Sequence, residues 1–361
     1  METYLPDDGT NATLRRLAEE DSYGERRAFW RDVPELPARP SDAHKGNFGT
    51  ALTIGGARGM TGAVGLAGIA ALVAGSGLSR LAVPDAILET VASYAPEYTT
   101  IPLPCDAQGR LADAALEPAL EASRQATAVA VGPGLGRSEA LDKLVTELFF
   151  ELDRPALFDA DALNALAAAG VFTDDPRYAD RFPKGERIFT PHPGEFERLS
   201  GAKPTGDERA RQDASTRWLK KYVARFYGQT TNARREDRRP ATLLLKGAGT
   251  VVTNLSFPQI GGHKIKQKTN ATGNANLATG GSGDVLTGLI LGLLCQGASC
   301  FDAARIGAAI HGLAAEIRAK IVARGALAGD VVRFIPVAFD FYAVAQSHAS
   351  GRQWLRVGGR D

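Results

Sequence analysis

Short apolar runs recur along this chain, each ending in glycine, proline or aspartate, and each followed by residues with helical spacing. Residues 49–56 (GTALTIGG) predict a buried strand ending in glycines, and Met60-Thr61-Gly62-Ala63 then opens a helix through Leu66, Ile69, Ala70 and Val73. The pattern continues with strands over 78–83, 126–131, 156–160 and 187–190. A further strand over 241–245 meets the turn Lys246-Gly247-Ala248-Gly249-Thr250, after which Val251 and Val252 resume a strand. Helical spacing returns at Val285, Leu286, Leu289, Ile290, Leu293 and Leu294, and again over 302–321. Strand, glycine loop and helix in repetition form the unit of a parallel α/β sheet, whose ligands bind at the carboxyl ends of the strands.

The polar remainder marks the periphery. Residues 1–40, with Pro34, Pro37 and Pro40, are expected as an extension outside the core, with some helix over 12–31. Residues 209–226 predict a surface helix that turns Trp218, Leu219 and Val223 inward. Residues 229–239 (QTTNARREDRR) have no apolar period and predict a mobile loop, and residues past about 340 a tail. A charge-free stretch over 59–79 approaches a membrane-spanning length, but six glycines break it, so a packed loop and buried helix are expected.

Chemistry concentrates in residues 278–288 (ATGGSGDVLTG). Gly280, Gly281 and Gly283 let the backbone turn sharply, and Asp284 falls in the first turn of the following helix. The unpaired N–H groups there and the helix dipole form an anion site. A carboxylate beside such a site can accept a hydroxyl proton while the amides hold the phosphate under attack. Taken alone, G-S-G-D is better described as a helix-start carboxylate stabilised by the dipole; the rest of the chain changes that balance.

Other strand ends add candidates. Gly132-Pro133-Gly134-Leu135-Gly136 lacks the spacing of a dinucleotide fingerprint and predicts a rigid wall against a ligand. Asp159 and Asp161 can hold a metal or a substrate hydroxyl, or cap the next helix. His192, in the loop Pro191-His192-Pro193-Gly194-Glu195-Phe196, is held at a strand end as a ligand contact, and Glu195 lies in the first helical turn. The glycines and Thr250 of the 246–250 turn can cradle a nucleotide phosphate, with Lys246 adding charge. His311 shares an apolar helix face with Ile306, Ile310 and Ala314, as a core histidine does.

Composition narrows the partners. The 361 residues are 44% hydrophobic and 23% charged, an ordinary globular balance. Lysine plus arginine (42) offsets aspartate plus glutamate (41), which gives no basic excess for nucleic acid or a membrane surface. Cys105, Cys295 and Cys300 lack metal-site spacing, and the acidic start METYLPDDGT lacks a signal peptide's apolar segment, so a cytoplasmic location is expected.

The order of these motifs resembles the ADP/ATP-dependent NAD(P)H-hydrate dehydratases of the ribokinase-like superfamily. The resemblance rests on M-T-G-A at 60–63, G-P-G-L-G at 132–136, D-A-D-A-L-N at 159–164, T-P-H-P-G-E-F at 190–196, K-G-A-G-T at 246–250 and A-T-G-G-S-G-D-V-L-T-G at 278–288. It implies a three-layer α/β/α fold with a largely parallel central sheet over residues 41–340, flanked by the extension and a 341–361 tail. It further implies repair of hydrated NADH and NADPH: a nucleoside polyphosphate (ADP, or ATP) phosphorylates the hydroxyl on the nicotinamide ring, and phosphate then leaves. By position, Asp284 matches the base and Gly281 and Gly283 the anion hole. Lys246, Gly247, Ala248, Gly249 and Thr250 match the adenylate turn, and Ala63, Gly134 and His192 match contacts to the hydrated coenzyme. Mg2+ is expected because polyphosphate transfer needs charge neutralisation. The resemblance also implies a homo-oligomer, with a tetramer suspected, and a separate epimerase chain. Asn276 stands where the family has glycine, and the 229–239 insert departs from its pattern. One rival, a small-molecule kinase acting on a vitamin-precursor alcohol, would use the same Asp284 and anion hole; the other, a nucleotide sensor without turnover, is argued against by the intact Asp284.

Overall fold

The structure, a computed structural model, describes residues 16–17, 20–21, 24–204, 206–227, 234–259, 262–321 and 324–351. Nine strands form one sheet: β1 (Thr50–Ile54), β2 (Leu78–Pro84), β3 (Thr99–Leu103), β4 (Ala128–Val131), β5 (Ala156–Phe158), β6 (Arg187–Phe189), β7 (Ala241–Leu245), β8 (Val251–Ser256) and β9 (Lys264–Thr269). Their order is β3-β2-β1-β4-β5-β6-β7-β8-β9. Pairing is parallel from β3 across to β7, and antiparallel for β7 with β8 and β8 with β9. The chain therefore runs outward in one direction from β1 and returns to start the other half at β4. That reversal between β1 and β4 is the switch point at whose strand ends ligands of such sheets bind, and the loops after the two strands meet there, the Gly56 N–H donating to the Pro133 carbonyl at 2.7 Å.

The helices follow in chain order: α1 (Arg27–Asp32), α2 (Thr61–Val73), α3 (Leu88–Ala92), α4 (Leu116–Arg124), α5 (Glu139–Glu151), α6 (Asp161–Ala168), α7 (Pro193–Ser200), α8 (Glu208–Tyr227), α9 (Ser282–Cys295), α10 (Cys300–Ile321) and α11 (Ala328–Ser350). Strand side chains alternate between two cores. Ala128, Ala130, Leu157, Ile188 and Leu244 face a layer with α9, α10 and α11. Val129, Val131, Phe158, Phe189, Leu243 and Leu245 face the layer with α5, α6 and α8. Because both faces are covered, each central strand is buried throughout, which is why it reads as an unbroken apolar run.

The two layers are packed differently. Beside α8, Phe149, Phe158, Phe172, Phe189, Trp218, Tyr222 and Phe226 form a continuous aromatic cluster. On the opposite face α9 lies against α2 with almost no side chain between them. A methyl group on Gly288 would overlap the carbonyl oxygen of Ala67, and one on Gly292 that of Ala71. The two contacts advance together by four residues, so the helices run parallel with their amino ends side by side.

Two expectations at the chain ends do not hold. Trp30 and Val33, within the stretch expected outside the core, are part of it. The Trp30 ring is fully buried and meets Phe341 and Tyr342 at 6.3 and 5.7 Å, while the Tyr342 hydroxyl donates to the Pro34 carbonyl at 2.7 Å. The last helix does not stop near 340 but runs to Ser350, with Tyr342, Val344, Ala345 and Ala349 buried. An amphipathic face on a polar helix is invisible until its partner is known, and each of these segments is the other's partner. Of the 229–239 insert, residues 229–233 lie outside the described residues, and Arg235–Asp237 form a helical turn. Among the described residues no helix is long and apolar enough to cross a membrane.

Candidate active site

Asp284 occupies the first turn of α9, whose preceding residue Gly281 has φ 87°, in the left-handed region where a side chain is disfavoured. Close packing against α2 places a second helix start, Thr61–Ala63, beside it. Two sets of unpaired amides and two positive dipole ends thus converge on one spot. Beneath α9, the Ser282 hydroxyl and His311 Nε2 lie 3.2 Å apart. His311 is buried, and burial pushes its pKa down to about 4, so it acts as a neutral brace, in agreement with its reading as a core histidine.

The floor of the site is a buried charge network. Asp159 follows β5 and is 1% exposed. It accepts from the Thr190 hydroxyl (2.8 Å), the Thr287 hydroxyl (2.8 Å) and the Lys246 ammonium (2.9 Å). Glu195 lies 3.8 Å from the same ammonium. Both oxygens of Asp159 are therefore engaged within the protein, and it caps no helix: Ala160, ahead of α6, makes no side-chain cap bond. Asp161 accepts the Gly136 N–H at 2.9 Å, which ties the 132–136 loop to α6. Between the two aspartates, Ala160 sits at φ 49° and ψ −119°, the one non-glycine residue with positive φ among the described residues.

These neighbours set the electrostatics. Burial pushes the Asp284 carboxyl up to about 7, Asp159 adds to the shift, and Lys246 opposes it. For Lys246, burial alone would lower the pKa, but Asp159 and Glu195 outweigh it and the net direction is upward. Burial raises Glu195.

The structure divides the sequence candidates. Gly134 packs under the Met60 carbonyl and against Ala63, which ties the loop after β4 to the start of α2. His192 stands at the start of α7 with its Nδ1 accepting from the Gly194 N–H at 3.0 Å, which leaves Nε2 to face Glu195 at 3.3 Å. Glu195 in turn accepts the His192 N–H at 2.8 Å, so the histidine is braced while its ring remains half exposed. Gly247, Ala248, Gly249 and Thr250 form the β7–β8 hairpin turn, and Thr250 donates to the Gly247 carbonyl at 3.0 Å. Lys246 departs from them. Its side chain leaves the turn for Asp159 and lies under Gly283, where an added methyl would be 3.4 Å from the ammonium.

Several participants were not predicted. Arg211 of α8 donates to the carbonyls of Ala248 and Gly249 and so clamps the hairpin turn. Thr190 and Thr287 hold Asp159. None leaves a local signal, because each acts on residues tens of positions away. Glu316 accepts the Gly273 N–H at 2.7 Å and pairs with Arg26 at 3.0 Å, which anchors the 270–277 loop beside α10. Asn276 lies in a helical turn capped by Asn274.

Among the described residues no group of three or more His, Cys, Asp or Glu side chains is arranged to hold a metal ion. Both oxygens of Asp159 are filled by protein donors, so it offers no free oxygen to a divalent cation.

A largely parallel nine-stranded sheet flanked by helices, with a carboxylate in the first turn of a glycine-led helix, defines the class: a ribokinase-like α/β protein. A family model described as NAD(P)H-hydrate dehydratase matches residues 51–336, and the chain belongs to that family. It is 39% identical over 304 residues to the bifunctional NAD(P)H-hydrate repair enzyme of Moorella thermoacetica, covering 84% of this chain and 51% of that one. The chain thus spans about half the length of the curated bifunctional relatives it matches. It is 32% identical over 294 residues to the ADP-dependent (S)-NAD(P)H-hydrate dehydratase of Bacillus subtilis, covering 80% of this chain and 89% of that one. The crystal structure of the Bacillus subtilis ADP/ATP-dependent NAD(P)H-hydrate dehydratase, co-crystallised with ATP and Mg2+, superposes with a TM-score of 0.63 at 28% identity. That match covers 87% of this chain and 96% of the other.

Proposed function

We propose that this chain dehydrates the S epimer of hydrated NADH and NADPH, using ADP and releasing AMP and phosphate. The observation that carries the reading is the half-buried Asp284, ionising near neutrality and placed beside two converging helix starts. Membership of the dehydratase family supplies the substrate class.

In this reading Ala63, Gly134 and His192 line the acceptor side and seat the hydrated nicotinamide ring. The 247–250 turn and Arg211 hold the adenylate on the far side of Lys246. Asp284 takes the proton from the ring hydroxyl as its oxygen attacks the terminal phosphorus of ADP, and the bond to the AMP oxygen breaks. The amides of Gly281, Gly283 and their neighbours and the Lys246 ammonium hold the charge that gathers on the transferred phosphoryl oxygens. The ring-nitrogen lone pair then expels phosphate, and loss of a ring proton restores the dihydropyridine. Mg2+ enters with the nucleotide and neutralises its phosphates. A cytoplasmic oligomer, with a tetramer suspected, completes the proposal.

The test is to incubate purified protein with hydrated NADH and ADP, ATP or neither. Nucleotide-dependent return of dihydropyridine absorbance supports the reading. Accumulation of a phosphate ester without absorbance gain marks a kinase instead, and nucleotide binding without either product marks a sensor.

A further inference from the structure

Three loops meet at the outer edge of the acceptor side. The loop after β3 folds into a small hairpin: Cys105 and Leu111 form an antiparallel bridge, and the Asp106 N–H donates to the Arg110 carbonyl at 2.8 Å. This hairpin reaches across β2 to the loop after β1, where the Arg58 N–H donates to the Gly109 carbonyl at 3.0 Å. It also touches the loop after β4, where Arg110 Nη1 donates to the Arg137 carbonyl at 2.9 Å. Three arginines are thereby gathered from three separate strand ends.

Their charges are not equivalent. Arg110 is committed, with Nε 2.9 Å and Nη2 2.8 Å from Asp106. Arg58 and Arg137 are exposed, and neither guanidinium has a hydrogen bond or ion pair among the described residues. Asp142 feels Arg137 through space without pairing with it, and the nearby Glu139 is taken by Lys143 at 2.9 Å. The rim is one loop's width from the reacting centre: Gly136 bonds Asp161, which acts on Asp284, and the side chains of Met60 and Arg110 flank Gly136. The adenylate turn lies across the sheet at β7–β8, so this rim faces the acceptor and not the donor.

We propose that Arg58 and Arg137 bind the pyrophosphate of the dinucleotide acceptor, with Arg110 as the fixed spacer between them. The inference rests on the dehydratase reading for the acceptor's identity. A hydrated nicotinamide ring seated at Asp284 carries its phosphates one ribose away, toward the rim. Guanidinium groups without competing carboxylates are the side chains suited to receive them.

The test uses the whole protein with Arg58→Gln, Arg137→Gln and the double substitution. Each single change is expected to weaken NADPH binding, read by its fluorescence, and to raise KM for hydrated NADPH by about tenfold, the low end for a charge-assisted hydrogen bond. ADP affinity, kcat and Tm are expected to stay at wild-type values. The double variant is expected to lose most of the salt dependence of NADPH binding. Unchanged NADPH affinity in the double variant overturns the rim, as does a parallel loss of ADP affinity. Failure of the wild-type protein to repair hydrated NADPH overturns the dehydratase reading instead, and NADPH titration of the variants still decides whether the rim holds a dinucleotide.

Discussion

Asp284→Asn separates chemistry from stability. The change keeps the shape and removes the charge. In the folded protein the Asp284 carboxyl is pushed up to about 7 from an ordinary 3.8, by burial first and then by Asp159. Its folded state therefore binds a proton more tightly than its unfolded state, and the ionised carboxylate destabilises the fold. The destabilisation is absent well below pH 4, grows as pH rises, and is complete above pH 7. The full shift corresponds to about 4 kcal/mol, and water screening of a partly exposed group reduces it to about 2 kcal/mol. Asparagine escapes this cost. The variant is expected to gain about 2 kcal/mol over wild type between pH 4 and pH 8, a rise in Tm on the order of 5 °C, while kcat falls about 10²–10⁴-fold and ADP affinity holds. Denaturant titrations at both pH values, with ADP binding at pH 8, read all of this. A stability difference that does not change with pH, or a variant less stable at pH 8, would refute the electrostatic account of the site.

Other consequences follow from the same contacts. Lys246→Met leaves Asp159 buried without its ammonium and should cost about 3–5 kcal/mol in denaturant unfolding. It also removes the group that opposes the Asp284 shift, so the midpoint of the kcat/KM profile, near pH 7 in wild type with activity rising toward alkaline pH, should move upward. Gly288→Ala drives a methyl into the Ala67 carbonyl and should destabilise by about 3 kcal/mol, lowering kcat as the α9 start shifts; thermal melts and turnover check it. Ala160→Gly relieves the φ 49° conformation and should stabilise by about 1 kcal/mol in the same melts.

The sequence was most legible where burial is two-sided. Strands β1, β4, β6 and β7 announce themselves as apolar runs because helices cover both faces. Strand β9, KIKQKT, was missed: it is an exposed edge with lysines, a composition that guards a sheet edge and hides its strand. Strand β3, TTIPL, carries a proline at the opposite edge and was missed for a related reason. The helix start at Asp284 could be read from three glycines and an apolar period. The partner of Lys246 could not, since Asp159 lies 87 positions earlier and only the parallel β5-β6-β7 order brings them together. Trp30 was placed outside the core because six polar or charged neighbours conceal one buried face.

The central claim is that Asp284 moves a proton from a ring hydroxyl so that ADP can phosphorylate it. The most direct measurement is a single-turnover experiment with hydrated NADH and ADP, comparing wild type with Asp284→Asn. The account predicts dihydropyridine, AMP and phosphate in equal amounts from wild type, and a bound but unreacted mixture with the variant. Equal rates of dihydropyridine formation in the two proteins would contradict it.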